Sequence, residues 1–136
     1  MPDTDAALTR MAHESMSFTK TIGLEIVSGD SERVVGRASW GAEKCTSGDA
    51  LHGGYLMALA DSMGGMCAFL NLPQGAGTAT IESKTNFFRG VTEGDVLITS
   101  TPIHVGRTTI VVQTDITRAD GKLATRTIQT QAVLAR

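Results

Sequence analysis

The stretch Gly53 to Leu72, GGYLMALADSMGGMCAFLNL, decides how this chain is read, because its twenty residues carry a single charge, Asp61. Leu56, Leu59, Met63, Met66 and Leu70 recur at helical spacing and predict an α-helix. Its length would suit a membrane span. Against that, Asp61 sits mid-stretch, Gly64-Gly65 interrupts the run and no Lys or Arg flanks it, so a buried helix is expected. A helix apolar on all faces has to be enclosed by other elements.

Working outward, the punctuation supplies the enclosure. Pro73-Gln74-Gly75 stops the helix, and Thr78 to Phe88 alternates, with Ala79, Ile81 and Phe87 on one parity and Thr80, Glu82 and Lys84 on the other, as in a half-buried strand. Further strands are expected over Asp95 to Val105, Arg107 to Thr117 and, after the Asp120-Gly121 turn, Leu123 to Leu134. Before the helix, Leu24 to Val27 and Arg33 to Trp40 read as a hairpin around Gly29-Asp30, followed by an irregular stretch, Gly41 to Leu51. Asp5 to Met16, behind Thr4 as N-cap, reads as a short amphipathic helix. The expected class is α+β: one domain over 1–136, with residues 1–20 a helical lead, in which an antiparallel sheet wraps around one long helix.

The chain has 136 residues, 41% hydrophobic and 19% charged, which fits one packed core. A net charge of -2 lacks the basic surplus of a nucleic-acid binder, so an anionic ligand would need a local cluster of cations. Cys45 and Cys67 form neither a disulfide framework nor a metal motif, and three scattered His supply no metal-ligand spacing; no metal is expected. The acidic start, Met1 to Asp5, does not read as a signal peptide, and with two free thiols a cytoplasmic protein is expected.

Two features of the central stretch point to chemistry. The helical neighbours of Asp61 are Met57, Ala58, Gly64 and Gly65, so its carboxylate does not belong to a charged solvent face and needs either a structural partner or a function. Both stay open on the residues alone. Gly64-Gly65 costs on the order of 1 kcal/mol per glycine relative to alanine, which calls for a packing reason. At the helix start, His52-Gly53-Gly54 offers unpaired N–H groups and the positive end of the helix dipole, suited to an anion or a developing oxyanion. The bare tripeptide more often marks a turn in which His52 caps or packs. Gly53 and Asp61 lie about 12 Å apart along one helix at about 1.5 Å per residue. They cannot serve one carbonyl unless the carboxylate comes from a second copy, so a shared reaction implies a homodimer with composite sites.

His52-Gly53-Gly54 with an acidic residue at Asp61 resembles the helix start of hotdog-fold acyl-CoA thioesterases of the phenylacetate-degradation (PaaI-like) type. The likeness continues through Thr80 to Arg89 and Val105-Gly106-Arg107, and covers the chain from about Ile22 onward. It implies a hotdog fold, a curved antiparallel sheet around the long helix, dimerised edge to edge and often paired again into tetramers. Carried onto this sequence, Asp61 would be the catalytic carboxylate, Gly53 N–H would polarise the thioester carbonyl, with His52 and Gly54 beside it, and Thr80 would lie near the attacking water. The coenzyme A part of the substrate would meet Lys84, Arg89 and Arg107; no separate cofactor, nucleic acid or membrane partner is implied. The chain departs from the usual N-x-x-G-x-x-HGG pattern: Cys45-Thr46-Ser47-Gly48 lacks the Asn, leaving Thr46 or Ser47 to replace its amide.

The expected activity is hydrolysis of aryl- or short- to medium-chain acyl-CoA. Asp61 would act as general base or nucleophile, two routes the sequence does not separate. A thiol leaves with a pKa near about 8.5 and needs no strong general acid. The rival readings are a hotdog hydratase or dehydratase pairing His52 with Asp61, which lacks a Pro-containing approach to the helix, and a non-catalytic acyl-CoA binder, suggested by the missing Asn.

Overall fold

The computed structural model describes residues 1–135. The chain opens with α1 (Ala6–Ser15) and a one-turn helix, α2 (Ser17–Thr21), that was not anticipated. The N-cap of α1 is Asp5 and not Thr4: the Asp5 carboxylate accepts from Leu8 N–H at 3.0 Å, satisfying an orphan donor of the first turn.

The strands β1 (Glu25–Gly29) and β2 (Val34–Ser39) form the expected hairpin, and two 3-10 turns, Ala42–Lys44 and Ser47–Asp49, organise the irregular segment before α3 (Gly53–Phe69). Then follow β3 (Gly77–Phe87), β4 (Asp95–Val105), β5 (Thr109–Thr117) and β6 (Leu123–Leu134). The six strands form one antiparallel sheet in the order β1-β2-β4-β5-β6-β3, so β3 is an edge strand with β6 as its neighbour. This is the hotdog architecture. α3 ends three residues before the expected Leu72, because Asn71 Nδ2 donates to the carbonyls of Cys67 and Ser31, both at 2.9 Å, ahead of Pro73.

Alternation in β4 and β5 turns Val96, Ile98, Ile110, Val112 and Ile116 toward the buried face of α3, which contributes Leu56, Leu59, Ala60, Met63 and Cys67. On β6 the buried parity is polar: Thr125, Thr127, Gln129 and Gln131 all lie at 2% exposure or less. Buried polar groups ordinarily find hydrogen-bond partners, and Thr127, Gln131 and the Gln129 Nε2 do, whereas the Thr125 hydroxyl has none. A row of hydroxyls crosses four strands, with Ser100 paired to Thr114, Thr114 to Thr127 and Thr127 to Thr85. Ser100 and Thr114 hydroxyls lie 2.6 Å apart, and those of Thr85 and Thr127 2.8 Å apart.

Two expectations are corrected. β3 is not half-buried within one chain: a bulge between Thr80 and Glu82 breaks its alternation, and Ile81 and Phe87 are 63% and 50% exposed. Nor is α3 enclosed on all sides. The sheet covers one face, while Met57, Asp61 and Phe69, spaced four or eight residues apart, lie exposed on the other.

Candidate active site

The N-terminus of α3 is pinned by its lead-in. Leu51 N–H donates to Val91 O and His52 N–H to Lys44 O, both at 2.9 Å, while Thr46 N–H closes the Thr46–Ala50 loop at 2.8 Å. Gly48 and Asp49 in that loop take left-handed φ values of 75° and 57°. His52 is the N-cap, and its Nδ1 accepts from Gly54 N–H at 2.8 Å. The first N–H groups of a helix have no intrahelical acceptor. The cap therefore takes Gly54 and leaves Gly53 N–H at the positive end of the dipole. A Cβ on Gly53 would stand 3.3 Å from the Phe87 ring, so glycine lets the end of β3 close on the helix start. Behind this end, Tyr55 hydroxyl donates to Ile22 O at 2.7 Å, and burial together with Glu43 pushes that phenol up to about 12.

Asp61 lies two turns further along and is held from β6. Gln129, fully buried, donates from Nε2 to Asp61 Oδ1 at 3.0 Å and to Gln131 Oε1 at 2.9 Å. Thr80 Oγ1 donates to Gln131 Oε1 at 2.6 Å, and Gln131 Nε2 donates to Thr78 Oγ1 at 3.1 Å. Gln129 Oε1 has no hydrogen-bond partner and rests over Gly64, where a Cβ would collide with it. Gln129 Nε2 also lies 3.5 Å from Thr80 Oγ1, so Asp61 and Thr80 are brought together through a glutamine that the sequence reading missed. The signal available was the period-two run Thr125, Thr127, Gln129, Gln131 on a strand beside the helix.

The remaining predicted residues do not converge on Asp61 within one chain. His52, Gly53 and Gly54 stand at the opposite end of the Gly53–Asp61 segment. Thr46 and Ser47 are exposed, and Thr46 makes no side-chain capping hydrogen bond. Lys84 is exposed on β3, across from Ile128. Arg89 Nη1 donates to Leu123 O at 2.9 Å at the start of β6, whereas Thr108, beside Arg107, accepts from Val133 N–H at its end. Ten residues of strand, about 33 Å, separate the two arginines.

A family model described as thioesterase superfamily matches residues 48–125, the span from the turn before α3 into β6. The chain belongs to the thioesterase superfamily. Consistent with a hotdog thioesterase, its coordinates superimpose on a thioesterase from Haemophilus influenzae with a TM-score of 0.87, at 27% identity and covering 98% of this chain and 92% of that one. A variant thioesterase from Pseudomonas aeruginosa gives a TM-score of 0.87 at 26% identity, over 96% of this chain and 94% of that chain. In sequence, a protein of Saccharolobus solfataricus named as an inferred esterase is 28% identical over 134 residues, 98% of this chain and 95% of its own length. Membership makes this thioesterase a hydrolase of thioesters. Among its described residues no helix is long and apolar enough to cross a membrane.

Proposed function

We propose that the protein is a PaaI-like acyl-CoA thioesterase whose active sites form between two copies of the chain. The observation that carries this reading is the exposed carboxylate of Asp61, fixed by a buried amide on the helix face the sheet leaves uncovered. α3 runs antiparallel to β3, with Gly53 beside Phe87 and Asp61 linked through Gln129 to the level of Thr80. Two β3 edges paired antiparallel about Ser83 exchange these ends, so Asp61 of each copy faces the Gly53 end of the other. That register sets Glu82 opposite the partner's Lys84, an opposite-charge pair in both halves. It also carries Arg107 of one copy toward Arg89 of the other, where the phosphates of coenzyme A would lie. The pairing would cover Ile81 and Phe87, and the thiols of Cys45 and Cys67, both free, fit a reducing cytoplasm.

In this arrangement the thioester carbonyl points at Gly53 N–H, which stabilises negative charge on its oxygen as the tetrahedral intermediate forms. Asp61 either takes a proton from water that attacks the carbonyl carbon, or attacks that carbon itself and is released by water. The C–S bond breaks, the electron pair leaves on coenzyme A sulfur, and the acid is freed. The apolar hollow of about 350 Å³ lined by Ser15, Met16, Gly65, Met66, Phe69 and Thr78 begins one turn beyond Asp61 and suits the acyl group.

The test is free-thiol release from a panel of aryl and short- to medium-chain acyl-CoA substrates, comparing wild type with Asp61→Ala of unchanged oligomer mass. Turnover that collapses in the variant is expected. Equal turnover in both, or none in wild type with tight acyl-CoA binding, would overturn the reading.

A further inference from the structure

The polar chain behind Asp61 has one direction. Thr78 Oγ1 spends its single proton on Ala132 O at 2.9 Å, so toward Gln131 it can only accept. That orients the Gln131 amide with Nε2 toward Thr78 and Oε1 toward Thr80 and Gln129. Oε1 then receives the Thr80 hydroxyl and one proton of Gln129 Nε2. The second proton of Gln129 Nε2 goes to Asp61 Oδ1 at 3.0 Å, the nearer acceptor, with Thr80 Oγ1 a longer contact at 3.5 Å. Reversing the Gln129 amide would set its carbonyl oxygen against Gln131 Oε1 and against the Asp61 carboxylate at once. The unpartnered Gln129 Oε1 is accommodated because residue 64 is glycine: any Cβ there would occupy its place.

We infer that Gln129 is the positioning residue of the thioesterase site: anchored through Gln131 and Thr78 to the backbone at Ala132, it ties Asp61 Oδ1 and so presents Oδ2 as the reacting atom. Gly64 belongs to the same device, since it makes the space in which the amide can be held. The inference rests on the thioesterase reading in that Asp61 is taken as the reacting carboxylate. Its geometric content, that a buried amide sets the rotamer of Asp61, can be tested separately from activity.

The experiment pairs kinetics with a crystal structure, using Gln129→Leu, which keeps the volume and removes the donor. With the best acyl-CoA of the panel, kcat for thiol release is expected to fall between about 10-fold and about 100-fold, as for a displaced catalytic group, with KM unchanged. In an Asp61→Ala background the same substitution should change nothing further, because Gln129 acts through Asp61. The crystal structure of Gln129→Leu should show the Asp61 carboxylate turned from its native rotamer. Wild-type kcat, an additional loss in the Asp61→Ala background, or an unchanged rotamer would each overturn the inference. Where Gln129→Leu fails to fold, Gln131→Met, which does not touch Asp61, reads the same chain: a reduced kcat at unchanged KM supports it, and a wild-type kcat overturns it. A wild-type protein that releases no thiol overturns the thioesterase reading instead, and the rotamer comparison still decides what Gln129 does.

Discussion

Gly64 on α3 and Gln129 on β6 share one space: the carbonyl oxygen of Gln129 occupies the position a Cβ on residue 64 would need. Its neighbour Gly65 meets nothing within 4 Å. The two glycines of one dipeptide therefore answer differently to the same substitution. Gly64→Ala overpacks a buried amide and is expected to destabilise by about 1–3 kcal/mol, outweighing the gain of about 1 kcal/mol in helix propensity. Gly65→Ala keeps that gain and is expected to raise stability by up to about 1 kcal/mol. Urea unfolding of the two variants checks the contrast, and equal shifts would contradict it.

The N–H of Gly53 can be removed with little change of backbone, provided the exposed Phe87 ring, 3.3 Å from the Cβ that proline adds, gives way by a few tenths of an ångström. Position 53 is the first residue of α3, where proline is tolerated, and His52 already has φ -58° and ψ 135°, as a residue before proline requires. Gly53→Pro is expected to lower kcat by about 10²–10³ while far-UV circular dichroism stays unchanged. Retained turnover would remove Gly53 from the oxyanion site.

How much of this was legible in the sequence depends on what each signal measures. The bounds of β4 and β6 and the start of α3 follow from turn residues and periodicity, which are local, and the structure places them at Asp95–Val105, Leu123–Leu134 and Gly53. The exposure of β3 was not legible, because alternation such as Ala79, Ile81, Phe87 reports a face destined for burial without saying whether its cover lies in the same chain. Asp61 stood out as the sole charge of an apolar helix, and the cost of Gly64 pointed to a close approach without naming what approaches. Gln129 and Gln131 are 68 and 70 residues away from Asp61, and the period-two run Thr125, Thr127, Gln129, Gln131 marks a polar parity without saying that it is buried or what it faces. Only the pairing of β6 with β3 and its packing on α3 bring them to the carboxylate.

The cysteines should be told apart by thiol labelling. Cys67 is fully buried in the core, and burial, with Asp30 adding to it, pushes its thiol up to about 11. Burial, with Asp49 and Glu43 beside it, raises the Cys45 thiol as well, so accessibility makes the difference: the native protein at pH 8 is expected to label slowly at Cys45, which is half-buried, and to release Cys67 only on unfolding. Thiol counts with and without denaturant check this. Labelling of Cys67 in the native state would show that the core opens.

The proposed register of the paired β3 edges predicts a charge-swap pattern. Glu82→Lys alone sets like charges against Lys84 of the other copy and should weaken the dimer, as should Lys84→Glu alone. The double swap, Glu82→Lys with Lys84→Glu, should restore it. Light scattering over a dilution series separates these outcomes, and no recovery in the double variant would reject a pairing about Ser83.

The central claim is that Asp61 and Gly53 act together from different copies of the chain, and subunit mixing tests it most directly. Asp61→Ala and Gly53→Pro homodimers should each be inactive in thiol release. After unfolding and refolding as an equal mixture, half of the dimers are mixed, and each of those has one site with both groups intact, so about a quarter of wild-type activity should return. If no activity returns although mixed dimers form, the two groups do not meet across the dimer, and the composite site is wrong.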